Sequence, residues 1–324
     1  RSPAKVVQGY QRLAGYEHVV AVIGISTSAV FGVMPLLSQY KVPLLCTGAG
    51  ADRLTDMVAE DYERYKYFFR VMHKSSELGE AVSDYVRGLL YGQRGMRRFA
   101  IMVEDDIWTK NIRDGWERTI RSLQGAHLVY SATFSPETQD FVPLLTQIIR
   151  NRPDYVLDAA STVDATTYLK QWAELRGPSI GAIPTGAGTK RYFDELGTRG
   201  LGVASVATIP APPNPLTNLS AAWWRNYSRR YGEPEYTSGY SYDATNLLAA
   251  ALRLSRVFSP ESLVTTLEGL SLPGVVGTWR FGGDHQALYG EGWRTIPIIR
   301  YDRPGAEGYG VIWPVGRAPT DGER

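Results

Sequence analysis

A single cysteine, Cys46, rules out any internal disulfide in this 324-residue chain. It stands inside the apolar run Val42 to Cys46, where a thiol serves as a small buried hydrophobe. Histidine is scarce too: His18, His73, His127 and His285 are scattered singly without ligand spacing, so the sequence offers no metal site and implies no cofactor. No apolar run is long enough to span a bilayer. Neither sign of charge dominates, since 35 Lys+Arg against 33 Asp+Glu leave a formal net charge of +2, which gives no case for nucleic acid as a partner. The basic cluster Arg94 to Arg98 reads as a solvated turn. Enzyme signatures are missing as well. There is no GxSxG, no HExxH and no complete phosphate loop, so no nucleophile with its base marks a catalytic site.

What is present has ordinary globular proportions, 44% hydrophobic and 21% charged, in a chain long enough to divide into two domains. Short β-branched runs alternate with amphipathic segments of helical length, the pattern of an α/β protein with parallel sheets. Strands are expected at Val19 to Ile23, Val42 to Cys46, Phe99 to Val103, Leu128 to Thr133, Tyr155 to Leu157, Gly181 to Pro184 and Val203 to Ile209. Helices are expected at Ser75 to Tyr91, Thr109 to Leu123, Phe141 to Asn151 and Asp164 to Arg176, the last capped by Asp164 and stopped by Gly177-Pro178. The run PAPPNP at Pro210 to Pro215 cannot hold regular structure and marks a linker or surface excursion. Beyond it, Trp223, Trp224 and Tyr227 recur at helical spacing and read as core or interface.

The stretch from Val19 to Thr55 carries most of the functional information. Its first strand stops at Gly24, and Ser26, Thr27 and Ser28 follow where a helix begins, so hydroxyls and free backbone N–H groups gather at the sheet's carboxyl edge. The second strand ends in Thr47-Gly48-Ala49-Gly50. Two such loops side by side make a receptor for a small polar group, above all an anion. GAGADR begins like the dinucleotide fingerprint but has Arg53 at the third glycine position, and these glycines equally suit tight turns.

A strand ending in IG, a Ser/Thr loop, a helix, then VPLL, a small-residue loop and LT resembles the branched-chain amino-acid (Leu/Ile/Val) binding protein family, the type I periplasmic solute-binding proteins of ABC transporters. Tyr67 to Val71 resembles that family's first crossover, and Phe99 to Val103 with EDDIWTKN its strand and ligand-facing aromatic loop. GYSYDATNLLAAAL resembles its late helix, and PGVVGTWRFGGDHQ a segment near its C-terminus. The resemblance implies two Rossmann-like lobes with parallel-sheet cores joined by three crossovers, lobe one being residues 1–70 plus 207–278 and lobe two 71–206 plus 279–324. Family members carry two strand-helix units before the helix that here starts near Pro3, about sixty residues by the size of such units, so the resemblance implies a fragment or an altered N-terminal lobe.

The resemblance also implies a ligand held in a cleft between lobes. Ser28 matches the family's carboxylate-binding serine, although helix capping explains it equally. Gly48, Ala49 and Gly50 match the second loop, with Gly50 in place of the usual Thr. Trp108 occupies the aromatic position of the opposing lobe, where its alternative role is packing. Ser161 falls where many members have a ligand-contacting tyrosine. Ala187 stands at the position of the amine-binding acid, leaving Asp106 and Asp158 as substitutes by proximity, each also explicable as a solvated loop or capping residue. The expected function is an extracytoplasmic, periplasmic or lipid-anchored solute-binding protein. It takes an amino acid, carboxylate or amide to an ABC permease in the membrane and has no catalytic activity. A ligand-sensing regulatory receptor of the same fold is the alternative.

Overall fold

The computed structural model describes residues 2–187, 190–208, 215–255, 259–303 and 308–314, without the side chains of Ser28 and Lys190. Ile209 and most of the PAPPNP run lie outside the described residues. The chain divides into two compact units, Arg1–Ser75 with Thr237–Thr295 and Ser76–Tyr236 with Ile296–Arg324. The chain passes between these units after Ser75, Tyr236 and Thr295. Ala207 and Trp224 pack in a core of the second unit, whereas Phe281 meets Phe69 edge-on at 5.0 Å and Gln286 bridges Arg70, holding that segment to the first.

In chain order the strands are β1 Val22–Ser26, β2 Leu44–Gly48, β3 Phe68–Arg70, β4 Arg98–Glu104, β5 His127–Phe134, β6 Tyr155–Ala160, β7 Ser179–Pro184, β8 Ala204–Val206, β9 Leu272–Pro273, β10 Thr278–Trp279, β11 Ile298–Tyr301 and β12 Tyr309–Trp313. The first unit holds the parallel sheet β1-β2-β3 and the small ladder β10-β9. β2 and β3 are buried almost throughout, which explains the apolar residues that open them, Leu44 to Cys46 and Phe68 with Phe69. Helices Pro3–Gly15 and Thr27–Tyr40 pack beside this sheet, and Tyr10 ties the first of them down by donating to the Val42 carbonyl at 2.8 Å.

Two sequence segments that resembled the family meet in this unit. Asp243, from helix Ser238–Leu254, accepts from the Val275 and Val276 N–H groups at 2.9 and 3.0 Å and from Trp279 Nε1 at 2.8 Å. A Cβ on Gly274 would stand 2.4 Å from Asp243 Oδ2, so glycine is what lets the turn reach the carboxylate. Burial pushes the Asp243 carboxyl up to about 6 against the pull of its donors.

The second unit is a seven-stranded sheet in the order β12-β11-β8-β7-β6-β4-β5, parallel from β5 to β8, with β11 and β12 antiparallel at the far end. Its two faces carry separate cores. Tyr155, Leu157 and Ala159 of β6 join one core, Val156 and Ala160 the other, as the period of two requires. Helix Ser75–Tyr85 continues into a π-helical stretch, Val86–Gln93, where Gly88 makes a notch: a Cβ there would lie 2.0 Å from Trp313, which fills the space. Strand order reverses between β4 and β6, because the chain leaves β4 for β5 on one side and returns to β6 on the other. Loops at the carboxyl ends of such a pair form the crevice where open α/β sheets take ligands.

Candidate functional site

In the first unit the two sequence-singled loops come together. Ser26 ends β1 exposed, opposite Gly48 in the ladder, and a Cβ on Gly48 would press on the Ile25 carbonyl at 3.0 Å. Within β1, just before its end, Gly24 takes φ 123° and Ile25 φ 72°. Left-handed geometry at a β-branched residue stores about 1–3 kcal/mol of strain and concentrates at functional loops. Thr27 opens the following helix, and its Oγ1 accepts from the Gly50 N–H at 3.2 Å, locking one loop to the other. Ser28 is the next helical residue; its side chain lies outside the described part of the structure.

Beneath this junction lie groups the sequence reading missed. Arg70, at the end of β3, is fully buried and spans both carbonyls of the second loop, donating from Nη1 to Gly50 O at 2.8 Å and from Nη2 to Ala51 O at 2.7 Å. Gly50 O accepts two more bonds, from Ser75 Oγ at 2.9 Å and Ser75 N at 2.7 Å. A Cβ on Gly50 would stand 3.2 Å from Ser75 Oγ, so the serine hydroxyl crowds the place where the family's threonine would branch. Thr47 Oγ1 pairs with Ser241 Oγ at 3.2 Å. Cys46 lies under the loop with its thiol donating to the Ile25 carbonyl at 3.5 Å, and burial pushes the thiol up.

In the second unit, Trp108 and Ser161 meet at the β4/β6 reversal, Trp108 Nε1 donating to Ser161 Oγ at 3.0 Å. The fully buried Glu104, last residue of β4, makes this possible. Its carboxylate accepts from the Thr162 N–H at 2.9 Å and the Ser161 N–H at 2.5 Å, fixing the loop after β6. Trp108 is only 8% exposed and belongs to the core beside Ile112 and Trp116, so packing in its own unit is part of its role. Asp106 caps helix Ile107–Ser122 through the Trp108 N–H at 3.4 Å. Burial pushes the Asp106 carboxyl up, and the Glu104 and Asp105 charges add to the effect against its backbone donors. A shallow cavity of about 330 Å³ opens beside it toward β5, between Asp105, Lys110, Arg113 and Thr133.

Asp158 and Ala187 are not drawn into this group. Asp158 is fully buried on the opposite face of the sheet, where Oδ2 accepts from Tyr168 at 2.7 Å and burial raises the carboxyl to about 7. Ala187 lies in the turn after β7, packed against that same second core, with its carbonyl accepting from Tyr301 at 3.4 Å. Among the described residues no group of three or more His, Cys, Asp or Glu is placed to hold a metal, and no helix is long and apolar enough to cross a membrane.

A family model described as periplasmic binding protein matches residues 1–294. No curated protein matches the chain. Solved structures do. A putative branched-chain amino acid ABC transporter protein from Silicibacter pomeroyi superposes with a TM-score of 0.79 at 18% identity, covering 98% of this chain and 84% of its own. A solute-binding protein from Rhodopseudomonas palustris BisB5 in complex with 3,4-dihydroxybenzoic acid gives 0.79 at 18%, covering 96% and 82%. The branched-chain amino acid substrate-binding protein of Streptococcus pneumoniae in complex with isoleucine gives 0.77 at 17%, covering 96% and 84%. These likenesses establish the type I periplasmic binding protein fold, with its parallel-strand sheets. Together with the match over residues 1–294, they show that the chain belongs to the periplasmic binding protein family.

Proposed function

We propose that this protein is an extracytoplasmic solute-binding protein without catalytic activity, which captures a small carboxylate and delivers it to an ABC permease. The observation that carries the reading is the lock between the loops that end β1 and β2, Gly50 N–H on Thr27 Oγ1, at a sheet edge lined by hydroxyls and helix N-terminal N–H groups. In the second unit, Trp108 and Ser161 meet at the strand-order reversal, the kind of crevice where open α/β sheets take ligands. Related proteins of this fold hold isoleucine in one case and 3,4-dihydroxybenzoic acid in another, which brackets the ligand class.

Between those two, the acids of the second unit favour a ligand without an ammonium group. A buried ammonium needs a carboxylate or several acceptors. Glu104 is engaged by two loop N–H groups, Asp106 caps a helix, Asp158 pairs with Tyr168 in a core, and Ala187 stands where the family has its acid. Branched or aromatic carboxylates and amides fit better than free amino acids. Native mass spectrometry of gently purified protein identifies any retained solute. Calorimetry with leucine, its des-amino analogue 4-methylpentanoate, and benzoate tests the class. Binding of either carboxylate with leucine much weaker is the expected result; micromolar leucine with no binding of the analogues overturns it.

A further inference from the structure

The buried guanidinium of Arg70 has no role in the family resemblance as read from the sequence, yet it is the group most intimately joined to the second loop. Its Nη1 and Nη2 reach successive carbonyls, Gly50 O at 2.8 Å and Ala51 O at 2.7 Å, and Ser75 adds an N–H and a hydroxyl to Gly50 O. A carbonyl that accepts three donors, one of them cationic, has its electron density drawn toward oxygen, and the N–H at the other end of the same peptide becomes a stronger donor. That N–H belongs to Ala51. Ala51 is 3% exposed, and no described residue accepts from it. A buried, polarised and unaccepted N–H is a costly arrangement unless something else fills it.

Shape points the same way as charge. A lysine would place a point charge against one carbonyl, whereas the planar fork of arginine fits two at once, so the side chain fixes the spacing of consecutive peptides as well as their polarity. The crossover strand that carries Arg70 is itself pinned, its N–H donating to His285 O at 3.0 Å. The loop is thereby held from below by the element that leads out of the unit.

From this we infer that Arg70 is the positioning residue that sets ligand specificity in the first unit: it orients and polarises the Gly50–Ala51 peptide so that the loop selects an anionic head group, a carboxylate over the isosteric amide. The inference rests on the ligand-binding reading above and names the group that enforces the charge.

Two measurements separate the inference from that reading. Calorimetry with benzoate and benzamide is run on the wild type, Arg70→Lys and Arg70→Gln. Benzoate affinity is expected to fall about tenfold in Arg70→Lys and up to about a hundredfold in Arg70→Gln, while benzamide changes no more than about threefold. Hydrogen exchange without ligand is expected to show the Gly50 amide, which donates to Thr27, losing protection in Arg70→Lys. Equal losses for both probes would make Arg70 merely structural and overturn the selectivity. Unchanged exchange and unchanged affinity would overturn its positioning role. If the wild type binds neither probe nor 4-methylpentanoate, the carboxylate reading itself fails, while the Gly50 exchange still decides whether Arg70 holds the loop. Should Arg70→Gln fold poorly, Ser75→Ala, which removes one donor from Gly50 O and leaves the guanidinium, is expected to weaken benzoate about threefold and spare benzamide.

Discussion

Replacing Asp158 by asparagine should make the protein more stable at pH 8 and leave it unchanged near pH 4. The carboxyl is fully buried on β6, bonded to Tyr168, and titrates at about 7 in the folded chain against an ordinary 3.8. Between those values the folded state keeps a proton that the unfolded state has released, so stability falls as pH rises through this window and levels off above about 7. The separation corresponds to at most about 4 kcal/mol withheld from the wild type at pH 8. Asparagine keeps an acceptor for the tyrosine and never ionises. Urea unfolding of both proteins from pH 4 to pH 8.5 gives the difference directly, since other carboxylates cancel in the comparison. A difference that does not vary with pH, or that favours the wild type increasingly at high pH, would refute the reasoning. Ligand affinity should be unaltered in this variant, because Asp158 faces the core opposite the one containing Trp108.

Trp108→Ala should lose both affinity and about 3 kcal/mol or more of stability, because the ring is packed in a core; Trp108→Phe, which keeps a smaller aromatic ring and drops the bond to Ser161, should lose less stability, as thermal unfolding and ligand titration will show. Gly274→Ala should cost about 2–4 kcal/mol by driving a methyl into Asp243 Oδ2 and Trp279 Nε1, measured by denaturant midpoint. An unchanged midpoint would mean the turn can move off the carboxylate freely.

The loop residues were legible because their chemistry is local: Ser26, Thr27 and Gly48 to Gly50 stand at strand ends, and strand ends can be read from short apolar runs. Arg70 and Glu104 were not, since a charged residue closing an apolar strand looks like the point where the chain reaches solvent. Both are fully buried, and their partners lie in other segments, Gly50 and Ala51 for one, Ser161 and Thr162 for the other. The setting of Asp158 was hidden for a related reason. Every residue of β6 is buried, so no alternation tells which face a side chain takes. β11 and β12 went unread because they are short and only complete a sheet begun far upstream.

That last feature bears on how the protein is made. A chain emerges from the ribosome N-terminus first, and its domains ordinarily close in that order. Here neither can. β8 receives its outer neighbour from residues 298–301, and the notch at Gly88 is filled only by Trp313. β3 waits in the same way for His285, whose carbonyl takes the Arg70 N–H and whose ring Nδ1 meets Phe68 O at 2.8 Å. The β8 edge therefore stays open until residues 298–301 have been made, and the β3 edge until His285 has, so each sheet is completed by segments synthesised long after its first strands.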